Sequence, residues 1–191
     1  MKKIAIYCGS SKGFDSIYAT TAQSVGEYLA KNEMTLIYGA GSVGLMGIIA
    51  DSVLENGGEA IGIIPQFLMD LEVGHKNLTE MYITQSMHER KMKMCELSDG
   101  IIALPGGFGT LDELFEMLTW SQLGLHEMPI GLLNTNGFFD SILAMIDKMV
   151  VEGFLKKQNQ DLLIVENDIE NLILKMKSTE RPKALKWLGR S

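Results

Sequence analysis

The sequence is poor in cysteine, histidine and basic charge, and each scarcity excludes a class of function. Only Cys8 and Cys95 occur, far apart and without a CxxC pair. Neither a disulfide framework nor a cysteine zinc site is indicated, and a reducing cytoplasm fits. His75, His88 and His126 fall at no ligand spacing, and "HERKM" (88–92) begins like a zincin helix but lacks its second histidine. No metal is expected. Acidic residues outnumber basic ones, 24 to 17, giving a formal net charge of −7. A nucleic-acid polymer favours the opposite balance, whereas a small anion needs only a local positive site. No segment approaches the roughly 20 apolar residues of a membrane-spanning helix. The opening "MKKIAIYCGSSKG" imitates a signal peptide only as far as Cys8, with Lys12 and Asp15 following at once. Repeats, low-complexity runs and linkers are also missing. The 191 residues therefore read as one domain over 1–178 and a basic tail over 179–191. The tail reads as a frayed end whose Trp187 could dock on the body or on a partner subunit.

What is present is an alternation. Short apolar runs, "KIAIYC" (3–8), "TLIYG" (35–39), "EAIGII" (59–64), "EMYITQ" (80–85), "GIIALP" (100–105), "PIGLLN" (129–134) and "DLLIVEN" (161–167), are bounded by Gly, Pro and Asn. Helix-period segments separate them at 15–32, 43–56, 87–98, 111–123, 138–153 and 168–176, while 66–79 reads as a long loop with one helical turn. Continuous apolar strands followed by amphipathic helices signal a parallel sheet covered on both faces. The fold class is α/β: a single Rossmann-like, doubly wound, mainly parallel sheet. Ligands in such sheets bind outside the carboxyl ends of the strands. The Gly-rich segments lie there: Gly9-Ser10-Ser11, Gly39 to Gly44, and Pro105 to Thr110. Their convergence points to a phosphorylated ligand, with Ser10, Gly41 and Ser42 among the candidate contacts.

Two motifs in these turns mislead. "GAGSVG" (39–44) matches the dinucleotide fingerprint, and Glu59 lies at about the distance of a ribose-binding acid. Glu59 nevertheless opens the following strand, when such an acid belongs at that strand's far end. A turn serving another phosphorylated ligand fits better. "GSSKG" (9–13) matches the nucleophile elbow of α/β-hydrolases, but it follows the first strand instead of a later one.

Two helices carry the chemistry. In "SMHERKMKMCELSDG", Ser86 and Glu89 form a capping box, and Met87, Arg90, Met94 and Leu97 share one face. An arginine in an apolar stripe needs an acid or an anion. Arg90 therefore either snorkels to a surface carboxylate or points into the strand-end cleft; Lys91 follows it. In "PGGFGTLDELFEMLTW", Gly106-Gly107-Phe108-Gly109 can aim successive N–H groups at one point, an anion nest at a helix start. Thr110 to Glu113 also reads as a capping box, which would make Glu113 a cap. Leu111, Leu114, Phe115 and Leu118 read as the buried stripe, with Glu113, Glu116, Met117 and Trp120 on another face. Two acids, Asp112 and Glu113, beside an anion nest need a counter-charge or a cationic reacting centre.

"PGGFGTLDE" (105–113) matches the P-G-G-x-G-T-x-x-E motif of the LOG (LONELY GUY) family, and "MHERK" (87–91) matches its M-x-x-R-K helix. "CGSS", "GSVGLMG", "LTWSQLG" and "GLLN…GFFDSIL" resemble the family too, so the likeness covers residues 3 to about 155. The family comprises cytokinin riboside 5′-monophosphate phosphoribohydrolases, often mislabelled lysine decarboxylases. No lysine here sits in a recognisable pyridoxal-phosphate context. The resemblance implies hydrolysis of the N-glycosidic bond of an adenine-type nucleoside 5′-monophosphate, by a cytoplasmic homodimer without a cofactor. It implies Arg90 and Glu113 as the catalytic pair. Glu80, Arg90, Lys91, Gly106, Gly107, Phe108, Gly109, Thr110, Leu111, Asp112 and Thr119 are the implied nucleotide contacts. Ala40 departs from the third consecutive glycine of many members. The rival readings are a non-catalytic carrier or sensor of a nucleotide-like ligand, which needs the nests but not the pair, and an NAD-dependent oxidoreductase.

Overall fold

The structure, a computed structural model, describes residues 1–71 and 74–179. Its elements run β1 (Lys3–Tyr7), α1 (Ser16–Lys31), β2 (Thr35–Tyr38), α2 (Gly44–Glu55), β3 (Ala60–Pro65), α3 (Gln66–Leu71), β4 (Glu80–Thr84) and α4 (Met87–Glu96). They continue with β5 (Gly100–Ala103), α5 (Phe108–Gln122), β6 (Ile130–Leu133), α6 (Asp140–Val151), α7 (Lys157–Gln160), β7 (Leu163–Glu166) and α8 (Ile169–Ser178). The strands form one parallel sheet in the order β4-β3-β2-β1-β5-β6-β7. The tail from residue 180, including Trp187, lies outside the described residues.

Burial explains why the strands read as unbroken apolar runs. Along β1, Ile4 and Ile6 pack with α1, α2 and α8, while Ala5 and Tyr7 pack with α4, α5 and α6. Both pleat faces are dry, so alternation vanishes from the sequence. Each fully buried Ile or Leu stabilises the fold by about 1.5–3 kcal/mol. The layer of α1 and α2 closes tightly at Gly26, where a Cβ would lie 2.6 Å from that of Ser52.

Some helix starts are closed by a side chain and others are not. Asp15 accepts from Ile17 N–H at the head of α1, and Ser86 accepts from Glu89 N–H at 3.1 Å at the head of α4. Helix α5 begins three residues earlier than its periodicity suggests, with Gly107 as its N-cap and no side chain closing it. The anticipated capping box from Thr110 to Glu113 is therefore absent; Thr110 lies inside the helix, 4% exposed. A glycine N-cap leaves the first N–H groups without a side-chain acceptor.

The order of the strands places the site. The chain runs outward from β1 to β4, then returns to set β5 against the other side of β1. Crossovers leave in opposite directions from these two strands, so a crevice opens beyond their carboxyl ends.

Candidate active site

Three turns interlock at that crevice. Gly9 N–H donates to the Pro105 carbonyl at 3.0 Å, and Leu45 N–H donates to the Gly9 carbonyl at 3.0 Å. A Cβ on Gly106 would lie 2.1 Å from Thr110 Oγ1 and 2.8 Å from Gly9 N. One on Gly44, whose φ is +64°, would lie 2.2 Å from the Ser10 carbonyl carbon. These glycines are required by backbone packed on backbone. Gly107 and Gly109 differ, because nothing lies within 4 Å of a Cβ at either.

The resulting cleft has a volume of about 290 Å³ and is lined by Gly9 to Gly13, Pro105, Gly106 and Gly107, with Tyr18, Leu45 and Phe138 as apolar walls. The Tyr18 and Phe138 rings meet edge-on at 5.8 Å between centroids. The uncapped start of α5 borders this cleft. Its partial positive charge and unclaimed N–H groups suit an anion.

Arg90 is 8% exposed. It does not reach a surface carboxylate. Its Nε donates to the Ile63 carbonyl at 3.0 Å, and Nη2 donates to the Gly39 carbonyl at 3.1 Å. Those carbonyls belong to β3 and to the turn after β2, so two strand ends clamp the guanidinium. A Cβ on Gly39 would lie 1.9 Å from Nη2, so only glycine fits. Nη1 has Met87 Sδ at 3.8 Å, a weak acceptor. Beside this turn, Ala40 takes φ +62°. That left-handed conformation costs an alanine about 1–2 kcal/mol and accounts for the glycine usual at this position.

Glu113 sits on the second turn of α5. The buried residues of that helix are Thr110, Leu114 and Met117. The stripe is thus rotated from the expected one: Met117 is covered, while Leu111, Phe115 and Leu118 are half-buried. Rotation carries Glu113 inward. Among the described residues no hydrogen bond or ion pair holds its carboxyl. Burial pushes it up to about 7; Arg90 and Lys91 pull it down, and Asp112 and Glu116 push it further up. It is the one strongly raised carboxyl resolved in the chain's described part, which marks a functional candidate.

Lys91 joins the two helices. Its Nζ lies 3.1 Å from Asp112 Oδ2 and 2.8 Å from Glu116 Oε2. Burial lowers its affinity for the proton, but the hydrogen bonds to Glu116 and Asp112 outweigh burial and hold it above its usual range. Asp112 and Glu116 share the one Lys91 charge, which leaves Glu113 the unpaired acid of the three.

The structure brings together Arg90, Lys91, Asp112 and Glu113, and sets Ser10, Gly106, Gly107, Phe108, Gly109, Thr110 and Leu111 around the α5 start. Of these, Ser10, Gly106 and Gly107 line the cleft described above, and the other candidates lie elsewhere. Glu80 opens β4 opposite Ile61, at the amino end of the sheet, where Tyr82 hydrogen-bonds it. Thr119 donates to the Phe115 carbonyl and lines a separate apolar cavity of about 140 Å³ against α6 and α7. Gly41 bridges Gly74, and neither it nor Ser42 lines the cleft. Glu59 meets Thr35 at the amino ends of β2 and β3, as its position against a ribose-binding role requires. Tyr18 and Phe138 escaped notice because they are distant in sequence and ordinary in their helical settings.

Comparison with known proteins adds identity to this geometry. A family model described as "Possible lysine decarboxylase" matches residues 46–176. The chain is 43% identical over 179 residues to "Probable cytokinin riboside 5'-monophosphate phosphoribohydrolase LOGL1" of Oryza sativa subsp. japonica, spanning 94% of this chain and 80% of that one. It is 42% identical over 175 residues to cytokinin riboside 5′-monophosphate phosphoribohydrolase LOG3 of Arabidopsis thaliana, spanning 92% and 81%. Among solved structures, the molybdenum cofactor binding protein of Rippkaea orientalis superposes with a TM-score of 0.71 at 20% identity, over 93% of this chain and 96% of that one. The Moco carrier protein of Chlamydomonas reinhardtii gives 0.68 at 19%, over 92% and 95%. These structural likenesses establish a shared fold. The extent and level of the sequence matches place the chain in the LOG family.

Proposed function

We propose that this protein hydrolyses the N-glycosidic bond of adenine-type nucleoside 5′-monophosphates, AMP or an N6-modified cytokinin riboside 5′-monophosphate, to free base and ribose 5-phosphate. The observation that carries this reading is the clamped, buried Arg90 beside the desolvated, unpaired Glu113, next to a helix start without a cap. The curated relatives named above are phosphoribohydrolases, and the enzyme is an N-glycosyl hydrolase of their kind.

The steps follow from charge. N–H groups at Gly107, Phe108, Gly109 and Thr110 take the 5′-phosphate and fix the sugar. Asp112 and Leu111 continue this turn, Ser10 offers a hydroxyl across the cleft, and Lys91 supplies positive charge. Cleavage builds positive charge at the anomeric carbon, as in other glycosidic hydrolyses. The ionised Glu113 carboxylate stabilises that charge or activates the attacking water. Arg90, held by two carbonyls, has Nη1 against only the weak acceptor Met87 Sδ, which leaves those donors to serve the phosphate or the departing base. The two acids beside an anion site thus have separate tasks: Asp112 pairs with Lys91, and Glu113 faces a cationic transition state.

A lysine decarboxylase reading fits these residues poorly. A Schiff-base lysine needs a depressed proton affinity. Lys91 is tied to two carboxylates, which raise it. We place the enzyme in the cytoplasm as a homodimer; no helix among the described residues is long and apolar enough to cross a membrane.

The test is release of free base from AMP and from its N6-isopentenyl analogue, followed by chromatography. Wild type releases base, and Glu113→Gln lowers turnover by about 10²–10⁴-fold. A folded wild type that released no base from either nucleotide would overturn the hydrolase reading and favour a ligand carrier.

A further inference from the structure

Tyr7 ends β1, is 1% exposed, and packs with Met94 of α4 and Leu114 and Met117 of α5. It therefore lies beneath the two helices that carry Arg90 and Glu113. Among the described residues its hydroxyl has no hydrogen-bond partner. Buried polar groups are nearly always paired, so an orphan at this place calls for a cause. Among the described residues Tyr38 and Thr135 also have orphan hydroxyls, but Tyr38 faces the α1–α2 layer on the other side of the sheet and Thr135 follows β6.

The ionisable groups whose charge reaches the Tyr7 hydroxyl are Glu113, Cys95, Glu116 and Arg90, with Glu113 first. Three of them make poor partners. Arg90 has donors only, two of them committed to the Ile63 and Gly39 carbonyls. Glu116 has its charge met by Lys91 at 2.8 Å, although its Oε2 is itself a buried atom outside hydrogen-bond geometry, and a thiol such as Cys95 accepts weakly. Glu113 is left. Burial and the neighbouring acids keep the Tyr7 phenol protonated far beyond the working range, so toward an acid it acts as a donor. A carboxylate can only accept.

We propose that the Tyr7 hydroxyl donates a hydrogen bond to the Glu113 carboxylate when that group ionises, making Tyr7 a positioning residue for the hydrolysis. The inference rests on the assignment of Glu113 above. The tyrosine ring is locked by strand packing, so the glutamate, with its flexible side chain, swings to meet it. The groups facing Glu113 are Arg90 and Lys91 of α4, Asp112 and Glu116 of α5, Tyr7 of β1 and Cys8 just after it. Among them Tyr7 is a neutral donor with nothing else to bond. It holds the carboxylate ionised near neutral pH, where burial alone would protonate it.

The experiment is Tyr7→Phe, which keeps the ring and removes the orphan. Carbon-13 NMR of labelled glutamate carboxyls, with Glu113→Gln to assign the signal, follows the Glu113 titration directly. The expected result is a Glu113 midpoint about one pH unit higher in Tyr7→Phe, because a charge-assisted hydrogen bond is lost. The acidic limb of kcat/KM moves by the same amount, with about tenfold less activity below the limb and near-equal activity above it. An unchanged midpoint in a folded Tyr7→Phe overturns the proposal. So does a loss of stability at acidic pH, where Glu113 is protonated, since it would reveal a structural partner for the hydroxyl. A shifted midpoint in a protein that releases no base would uphold the Tyr7–Glu113 bond while overturning the assigned reaction.

Discussion

Glu113 sets a conflict between stability and activity. Its carboxyl lies near 7 in the fold against an ordinary value of 4.5. The folded state then binds more protons than the unfolded chain between those limits, so stability falls as pH rises through that window. Ionising this group in place costs up to about 3 kcal/mol. Glu113→Gln removes the cost, so the variant unfolds several degrees above wild type at about pH 8 and matches it near pH 4. Thermal melts across that range check the sign. The same substitution that stabilises the protein removes its turnover. At this scale the sequence disclosed Arg90 by its misplaced charge, but not the partners of its guanidinium. Those are backbone carbonyls, which leave no trace in a side-chain pattern.

At the scale of elements, the glycines at the head of α5 divide into two kinds. Gly106→Ala forces a Cβ against Thr110 and Gly9. It destabilises the fold by roughly 1–3 kcal/mol, as overpacking does. Gly107→Ala meets open space and stays within about 0.5 kcal/mol of wild type. We expect it nevertheless to weaken AMP binding by about tenfold or more, since a ligand's close approach to the backbone is what its bareness serves. Calorimetric titration beside a melt separates the two effects. The alternation of strands and helices was legible because buried parallel strands are continuous apolar runs. The start of α5 was not, because a glycine cap has no side chain to announce it, and Thr110 with Glu113 imitated a cap three residues later. Glu80 and Thr119 came from motif likeness, without a strand-end argument of their own.

On the scale of the whole molecule, a bound ligand stabilises what it selects. Saturating AMP at about a hundred times its dissociation constant adds about 2.7 kcal/mol. For a chain of this size that raises Tm by roughly 5–10 °C. Glu113→Gln retains this shift, because phosphate binding falls to α5, whereas Gly107→Ala diminishes it. Light scattering on the same samples should give twice the chain mass. The doubly wound order was readable from the Gly-rich strand ends, and it determines where such binding energy acts. The core is built from strands and helix faces, while Ser10 to Gly13 and Gly107 to Gly109 project beyond it, exposed. Apart from Gly13, whose φ is +74°, residues there can be exchanged without disturbing what keeps the chain folded. A lineage, or a library, could therefore revise which base the cleft accepts while thermal robustness stays unaltered, so this architecture is disposed to diversify.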